Sequence, residues 1–561
     1  MTGSGQPHAA PDMAPMTEPS HGAPIAVSNI DALFDWVKTD GPGCAVGIYR
    51  GDEPALMRAY GLANIEQHVP ITADTVFHIA SLSKQVTAFC AGLLAERGLL
   101  DLDARLGELL PELQAGGDIL LRQILHHVSG LRDQWGLLDL AGWRHEDLKT
   151  TGDIVRLATR QHSLNFAPGS RFQYINTGYT LIGTIIEQIT GQSLREFAQE
   201  QVFDPLRMSR THFHDEFHRI VPGRADAYDE DDTGALRINN PAYGTAGPTG
   251  LFTTIADFAA WERHLASPQI CSADLIAEMH RPGTLGNGQS TGYGYGLALG
   301  TYRGLRIAEH AGGDAAFRAH FIRFPDHRLA IAIFCNTPAA PPGKLAREIA
   351  DLILSDAFSA RETESHVTAA QASRATGITA PDGDTLLNYC GRYREPGGHD
   401  LADIAYRDGR LFLASPGGPD YELIPLGQDR FAFAGLDATC LFEPIPDKPM
   451  RFRTFYGGTE TAMLEAVAAE ATETLPPHQD YSGRYFSEEL DIAYDVVGDG
   501  PALLLSRGRR GTYPLTPLSI DQFACPGGLS IRFRRDADGA VDSMEVSTER
   551  VWHVRFRRKS D

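Results

Sequence analysis

Phe77-His-Ile-Ala-Ser81-Leu-Ser-Lys84 runs directly into Gln85-Val-Thr-Ala-Phe-Cys-Ala-Gly-Leu-Leu94. Val86, Phe89, Cys90, Leu93 and Leu94 recur at helical spacing, and Gly98 offers a C-terminal stop. The spacing predicts a largely buried helix opened by Ser81, with Lys84 one turn on and on the same face. A serine hydroxyl is a poor nucleophile until a neighbouring base takes its proton. A lysine in a low-dielectric site has its pKa lowered toward that task, and backbone N–H groups at a helix start stabilise an oxyanion. The same residues also read as an N-cap serine followed by an incidental lysine.

Around this stretch, composition narrows the class. The chain has 561 residues, 42% hydrophobic and 22% charged, with a net charge of −22. At about 150 residues per domain this predicts two to four domains. The apolar content excludes general disorder. No apolar run reaches the ~18 residues of a membrane span; the longest, Leu329–Cys335, has the length of a buried strand. The acidic balance argues against a nucleic-acid partner, which needs excess Lys and Arg. The Arg-rich segment Arg507–Lys559 reads as charged faces of antiparallel strands. Seven scattered cysteines without CxxC or Cys/His spacing read as buried thiols in a reducing compartment, and no metal or organic cofactor is implied. Residues 1–27, rich in Pro, Ala, Gly and Ser, lack basic and apolar signal regions and read as a disordered leader, so a cytoplasmic location is expected.

Residues 28–358 alternate strand and helix patterns. Cys44–Arg50 and Ala55–Tyr60 read as an opening strand pair. Lys84–Arg97, Thr177–Ile189 and Ile255–Leu265 are amphipathic helices. Arg306–His310, Ala319–Phe324 and Leu329–Cys335 are closing strands, the last two joined by a turn at Pro325-Asp326-His327. Strands at both ends with helices between predict an α+β domain with a helix-covered antiparallel sheet. Residues 359–384 read as a linker. Beyond it lies an internal repeat: Tyr389-Cys-Gly-Arg-Tyr393 recurs as Tyr481-Ser-Gly-Arg-Tyr485, 92 residues on. Asp403-Ile-Ala-Tyr406 recurs literally as Asp491-Ile-Ala-Tyr494, 88 residues on, and the offset returns to 92 for Tyr421/Tyr513, Asp429/Asp521 and Phe431/Phe523. A four-residue loop difference accounts for the shift. Short alternating segments with regular turns predict two small antiparallel barrels of about eight strands, at 385–470 and 479–559.

Two further signals precede any family assignment. Tyr174-Ile-Asn176 lies just before the Thr177 helix; a phenol near an ammonium relays protons, and an amide orients a carbonyl. Its plain reading is a buried Tyr with a capping Asn. His310-Ala-Gly312-Gly313 ends a strand, where glycines permit close backbone approach, or simply mark a turn. Gly288-Gln-Ser290-Thr-Gly292 fits G-x-S-x-G, but lacks the preceding strand and following helix which that motif requires, so Ser290 is not taken as a nucleophile.

In this order the three signals resemble those of the penicillin-recognising serine hydrolases: class C β-lactamases, D,D-peptidases, family esterases and D-aminopeptidases. Leu125-His-His-Val-Ser-Gly-Leu131, Phe166-Ala-Pro-Gly-Ser170, Gly247-Pro-Thr-Gly-Leu-Phe-Thr-Thr254 and Tyr293-Gly-Tyr-Gly296 extend the resemblance over about 30–355. It implies a β-lactamase/transpeptidase-like catalytic domain with Ser81 as nucleophile. Lys84 and Tyr174 would share the proton transfers, in an order left open. The backbone N–H groups of Ser81 and Gly313 would form the oxyanion hole. Asn176, His310 and Gly312 would hold the substrate. The family's usual Lys-Thr-Gly is absent; His310-x-Gly312 resembles the D-aminopeptidase variant, as does a catalytic domain followed by two barrels. In that plan a loop of the last barrel enters the cleft. Arg507–Gly511 is one such loop, with no sequence signal to decide whether it does so here.

The reading expected from these residues is a serine peptidase or amidase. It would act through an acyl-enzyme on small peptides, amides or esters with a D-Ala-like residue on the acyl side. Losing the fixed lysine is expected to favour substrates without a carboxylate beside the scissile bond. Alternatives are cleavage of short linear D-Ala peptides such as linearised microcystin, an esterase or β-lactamase, and a non-catalytic binding protein with barrel modules. Expected partners are the small substrate and a second copy in a homo-oligomer, with neither nucleic acid nor membrane.

Overall fold

The computed structural model describes residues 25–51, 53–358, 383–394, 401–414, 420–433, 438–446, 448–456, 459–467, 478–499 and 502–559. Its first unit is built on a six-stranded antiparallel sheet, in the spatial order Ala298–Tyr302, Leu305–Asp314, Phe317–Phe324, Leu329–Cys335, Cys44–Arg50, Glu53–Tyr60. Early and late strands meet where Cys44 lies opposite Cys335 and Arg50 opposite Leu329. The strand expected over Arg306–His310 runs on to Asp314, because Ala311–Gly313 stay in register with Arg318–His320 of the next strand.

Leu329–Cys335 is buried along its whole length. Leu329, Ile331, Ile333 and Cys335 pack with Phe34 and with Leu345, Ala346 and Ile349 of the Pro342–Leu354 helix. Ala330, Ala332 and Phe334 join the opposite core, with Phe258 of the Ile255–Ala266 helix and Phe89 of the Ser83–Glu96 helix. Successive side chains alternate faces, so a strand covered on both sides reads as an unbroken apolar run. The Ser83–Glu96 helix is buried from Ser83 to Leu94, its polar residues Ser83, Lys84, Gln85 and Thr87 included.

Two closed eight-stranded antiparallel barrels follow. The first runs from Gly391–Arg394 to Thr459–Ala466, Tyr393 pairing with Ala466; the second runs from Gly483–Ser487 to Val551–Arg558, Tyr485 pairing with Arg558. Both copies carry one lock. Tyr393 Oη donates to Tyr389 O at 2.9 Å and Tyr485 Oη to Tyr481 O at 2.7 Å. Tyr389 bonds Asp429, and Tyr481 bonds Asp521 at 2.9 Å.

The register corrects the repeat. Arg392 faces Asp403, and Arg484 faces Asp495, so Asp403 corresponds to Asp495 and the offset of 92 persists. The literal match to Asp491-Ile-Ala-Tyr494 is out of register, and no four-residue loop difference exists there.

The second barrel is joined to the catalytic unit through one apolar core. Leu137, Leu138 and Leu140 of the Gln134–Leu140 helix, with Ile154 and Leu157, pack among Tyr481, Leu490, Val496 and Val551. Arg132, with a fully buried side chain, pairs with Glu489 and bonds Gln161 Oε1 at 2.7 Å and His553 O at 3.1 Å. The expected leader up to residue 24 and linker residues 359–382 lie outside the described residues.

Candidate active site

Ser81 is not the first residue of the helix. It sits in a 3-10 turn, Ala80–Leu82, and the α-helix begins at Ser83. Nor is it an N-cap, since the helix start carries no side-chain capping bond. Ala80 has φ of 50°, a left-handed conformation that costs a non-glycine residue about 1–3 kcal/mol. That kink turns Ser81 out of the core, leaving it partly exposed while Lys84 is completely buried.

Lys84 Nζ lies 2.8 Å from Asn176 Oδ1, 2.9 Å from Pro248 O and 3.3 Å from Ser81 Oγ. Burial holds its pKa well below the ordinary lysine value, against the opposing pull of Asp133. A neutral amine has two N–H donors and one lone pair. Asn176 Oδ1 and Pro248 O carry no hydrogen and can only accept, so they take both donors. In the neutral form the lone pair would be left for the Ser81 hydroxyl; in the charged form the third N–H donates to Ser81 Oγ.

Asn176 is fixed in turn. Its backbone N and its Nδ2 donate to Asp133 Oδ2 at 2.7 and 2.9 Å, which sets the orientation of its amide. Asp133 Oδ1 accepts from Trp135 N at 3.1 Å, so this carboxylate both caps the Gln134 helix and anchors Asn176. The Tyr174 ring lies under Lys84 Nζ, 4.7 Å from its centroid. Burial pushes the phenol pKa up, and hydrogen bonding toward the Ser81 hydroxyl pulls it the other way.

His310 closes an aromatic box with Tyr174, Tyr293 and His127. Ring centroids are 4.4 Å apart for His127–Tyr174, 4.6 Å for His127–Tyr293 and 5.9 Å for Tyr174–His310. Burial and Lys84 lower the His310 pKa to about 3. Nδ1 contacts Ala311 O at 2.6 Å and Nε2 the Tyr293 hydroxyl at 2.9 Å, so both nitrogens are engaged. His310 is therefore no cationic replacement for lysine.

Gly312 is required by packing against the nucleophile turn: a Cβ there would meet Ile79 O at 2.4 Å. This close approach sets Gly313 beside the Ala80–Leu82 turn. The next residue, Asp314, has Oδ2 bonded by Thr249 Oγ1 at 3.2 Å and by Tyr243, with His78 Nε2 at 3.3 Å; these contacts hold its pKa down despite burial.

Ser290 lies exposed in a loop between neither strand nor helix, far from any such arrangement. Arg507 and Arg510 both bind Asp139, Arg507 Nη2 at 2.6 Å, and so clamp the Gln134–Leu140 helix instead of reaching the site. The second-barrel turn between Thr548 and Val551 reaches it instead: Asp133 N donates to Arg550 O at 3.1 Å. Pro248, His127 and Tyr293 were each inside quoted stretches and Asp133 two residues beyond one, but nothing local marked their roles. Among the described residues no group of three or more His, Cys, Asp or Glu is placed to hold a metal ion, and no helix is long and apolar enough to cross a membrane.

Fold and site together define a serine hydrolase of β-lactamase fold. The Beta-lactamase family model matches residues 27–355, and the chain belongs to that family. Among relatives, the D-aminopeptidase of Brucella anthropi is 26% identical over 540 residues, covering 92% of this chain and 95% of its own length. The D-aminopeptidase of Gluconobacter oxydans is 30% identical over 319 residues, covering 56% of this chain and 58% of its own length; this match thus spans little over half of that relative. In structure, the octameric penicillin-binding protein homologue from Pyrococcus abyssi aligns with a TM-score of 0.52 at 20% identity, covering 85% of this chain and 96% of its own. SurE with D-Leu aligns at 0.51 and 22%, covering 79% and 100%. These two likenesses show the fold.

Proposed function

We propose that this chain is a D-aminopeptidase-like serine hydrolase. It would transfer the acyl group of small peptides, amides or esters with a D-residue through Ser81. The observation that carries the chemistry is the buried Lys84, whose Nζ is held by Asn176 Oδ1 and Pro248 O at 3.3 Å from Ser81 Oγ. The D-residue comes from the named relatives, two D-aminopeptidases among them.

Ser81 Oγ attacks the carbonyl carbon as its proton passes to Lys84 Nζ. The oxyanion is held by the N–H groups of Ser81 and Gly313, and Asn176 orients the substrate amide. The tetrahedral adduct collapses by breaking the C–N bond. The leaving nitrogen takes the phenolic proton of Tyr174, which Lys84 then replaces. Water repeats the sequence on the ester. Lys84 is thus the first base, and the high pKa of Tyr174 keeps it a proton donor.

The reading includes a catalytic domain over 28–358, barrels at 385–470 and 479–559, a cytoplasmic location and a homo-oligomeric state. Neither the linear-microcystin nor the esterase or lactamase reading gains support from the named relatives. A buried lysine with a lowered pKa, poised on a serine, argues against a mere binding protein. The test compares D-Ala and L-Ala anilides with N-blocked forms of the same residues. Turnover of free D-Ala anilide is expected, with little of the L or blocked forms. Fast turnover of the blocked forms overturns the aminopeptidase reading.

A further inference from the structure

The site takes a cation from another part of the chain. Strands Val541–Thr548 and Val551–Arg558 are joined by Glu549-Arg550, and the catalytic unit grips this turn. Arg550 O accepts from Asp133 N at 3.1 Å and from Asn165 Nδ2 at 3.0 Å, and Trp552 N donates to Asn165 Oδ1 at 2.9 Å. Gly136 makes room: a Cβ there would meet Val551 Cγ2 at 2.6 Å. The backbone of residue 550 is therefore fixed beside the carboxylate that anchors Asn176.

The side chain is not fixed in the same way. Within the described residues its guanidinium makes no hydrogen bond; its ion-pair contact is Nη1 to Asp133 Oδ2 at 3.9 Å. That oxygen already accepts two bonds from Asn176, and Oδ1 accepts from Trp135. The Arg550 side chain remains 33% exposed. Lys84, Tyr174 and His127 all feel its charge, which favours their less positive forms. His310, with its lowered pKa, supplies no cation near neutral pH, and Arg550 brings a fixed positive charge beside Asp133 and Tyr174. The duplication adds an independent observation. By the 92-residue offset, Glu549-Arg550 corresponds in sequence to Gly457-Gly458, two residues without charge.

We propose that Arg550 is a specificity residue that pairs with a carboxylate of the substrate, in place of the lysine missing at His310. A guanidinium fork matches a carboxylate bidentately. This replaces the sequence-based expectation of a substrate without one, and it rests on the acyl-transfer reading above. The carboxylate sits either on the acyl residue or on the leaving amine.

The test measures kcat/KM for two matched pairs, D-Glu against D-Gln anilide, and the D-Ala amide of 4-aminobenzoate against D-Ala anilide. Wild type, Arg550→Gln and Arg550→Lys are compared. In one pair the wild type is expected to favour the anionic member by about tenfold or more, a difference of about 1.4 kcal/mol. Arg550→Gln should bring that ratio near one, and Arg550→Lys should retain part of it. Thermal melts establish folding, and if Arg550→Gln does not fold, the Lys variant carries the comparison. Equal ratios in wild type and variants, or a wild-type bias against the carboxylate in both pairs, overturn the proposal. The ratio is read on whichever enantiomer is turned over, so loss of D-preference refutes the D-residue reading alone. Failure of a fluorophosphonate to label Ser81 refutes acyl transfer and this proposal with it.

Discussion

Lys84 shows how a side chain's chemistry is set by its acceptors. Asn176 Oδ1 and Pro248 O hold Nζ beside Ser81 and burial lowers its pKa, so the neutral amine is the active form under the proposed mechanism. The kcat/KM profile is therefore expected to rise with pH through a lysine pKa well below the ordinary value, and to fall only where Tyr174 ionises, above the usual phenol range. An acid limb at the ordinary lysine pKa would contradict this assignment. The folded state also binds fewer protons at Lys84 than the unfolded chain between the two pKa values, so this group's contribution to stability rises with pH there.

Gly312 gives a second expectation. Gly312→Ala pushes a methyl group onto Ile79 O, costing about 1–3 kcal/mol of stability and slowing Ser81 labelling. Gly300→Ala in the neighbouring strand, where a Cβ meets nothing within 4 Å, should do neither. Denaturant melts and labelling rates check both. At this scale the candidates Ser81 and Lys84, and Tyr174 and Asn176, could be picked out because each pair is two or three residues apart, and the structure brings Ser81, Lys84 and Asn176 together. Asp133, Pro248 O and Arg550 were not, because their roles depend on contacts between residues 43 to several hundred positions apart.

At the scale of elements, the apolar run Leu329–Cys335 announced its own strand, and the glycines after His310 concealed the end of another. Those glycines signal a turn locally. Pairing with Phe317–Phe324 and packing on Ile79 keep them extended. The repeat shows the opposite error. A literal four-residue identity misled, whereas strand pairing kept the uniform offset, since register is set by which faces are buried and not by identity. The shared tyrosine lock is testable: Tyr485→Phe should cost about 0.5–1.5 kcal/mol by removing the bond to Tyr481 O in the barrel interior. An unchanged denaturation midpoint would show that the lock contributes nothing.

For the whole molecule, three units were readable from pattern and repeat, but their attachment was not. Leu137, Leu138, Ile154 and Leu157 look like ordinary helix interiors in sequence; in the structure they belong to the core of the second barrel. Removing residues from 479 onward would expose that surface and leave Arg132 buried without Glu489, so truncation is expected to yield an insoluble or unfolded catalytic unit. Glu489→Ala alone should cost about 3–5 kcal/mol, the penalty of stranding a buried charge. A change below 1 kcal/mol in the urea-derived stability, on the order expected for exposed pairs, would mean that this bridge does not fasten the barrel.

The central claim is that Ser81 carries the acyl group of a D-residue. Its most direct measurement is intact-mass analysis, with peptide mapping, of enzyme quenched during turnover of a D-alanyl ester. One added D-alanyl group is expected on the peptide containing Ser81, absent in Ser81→Ala and far weaker with the L-ester. An adduct that survives Ser81→Ala, or equal loading by both enantiomers, would contradict it.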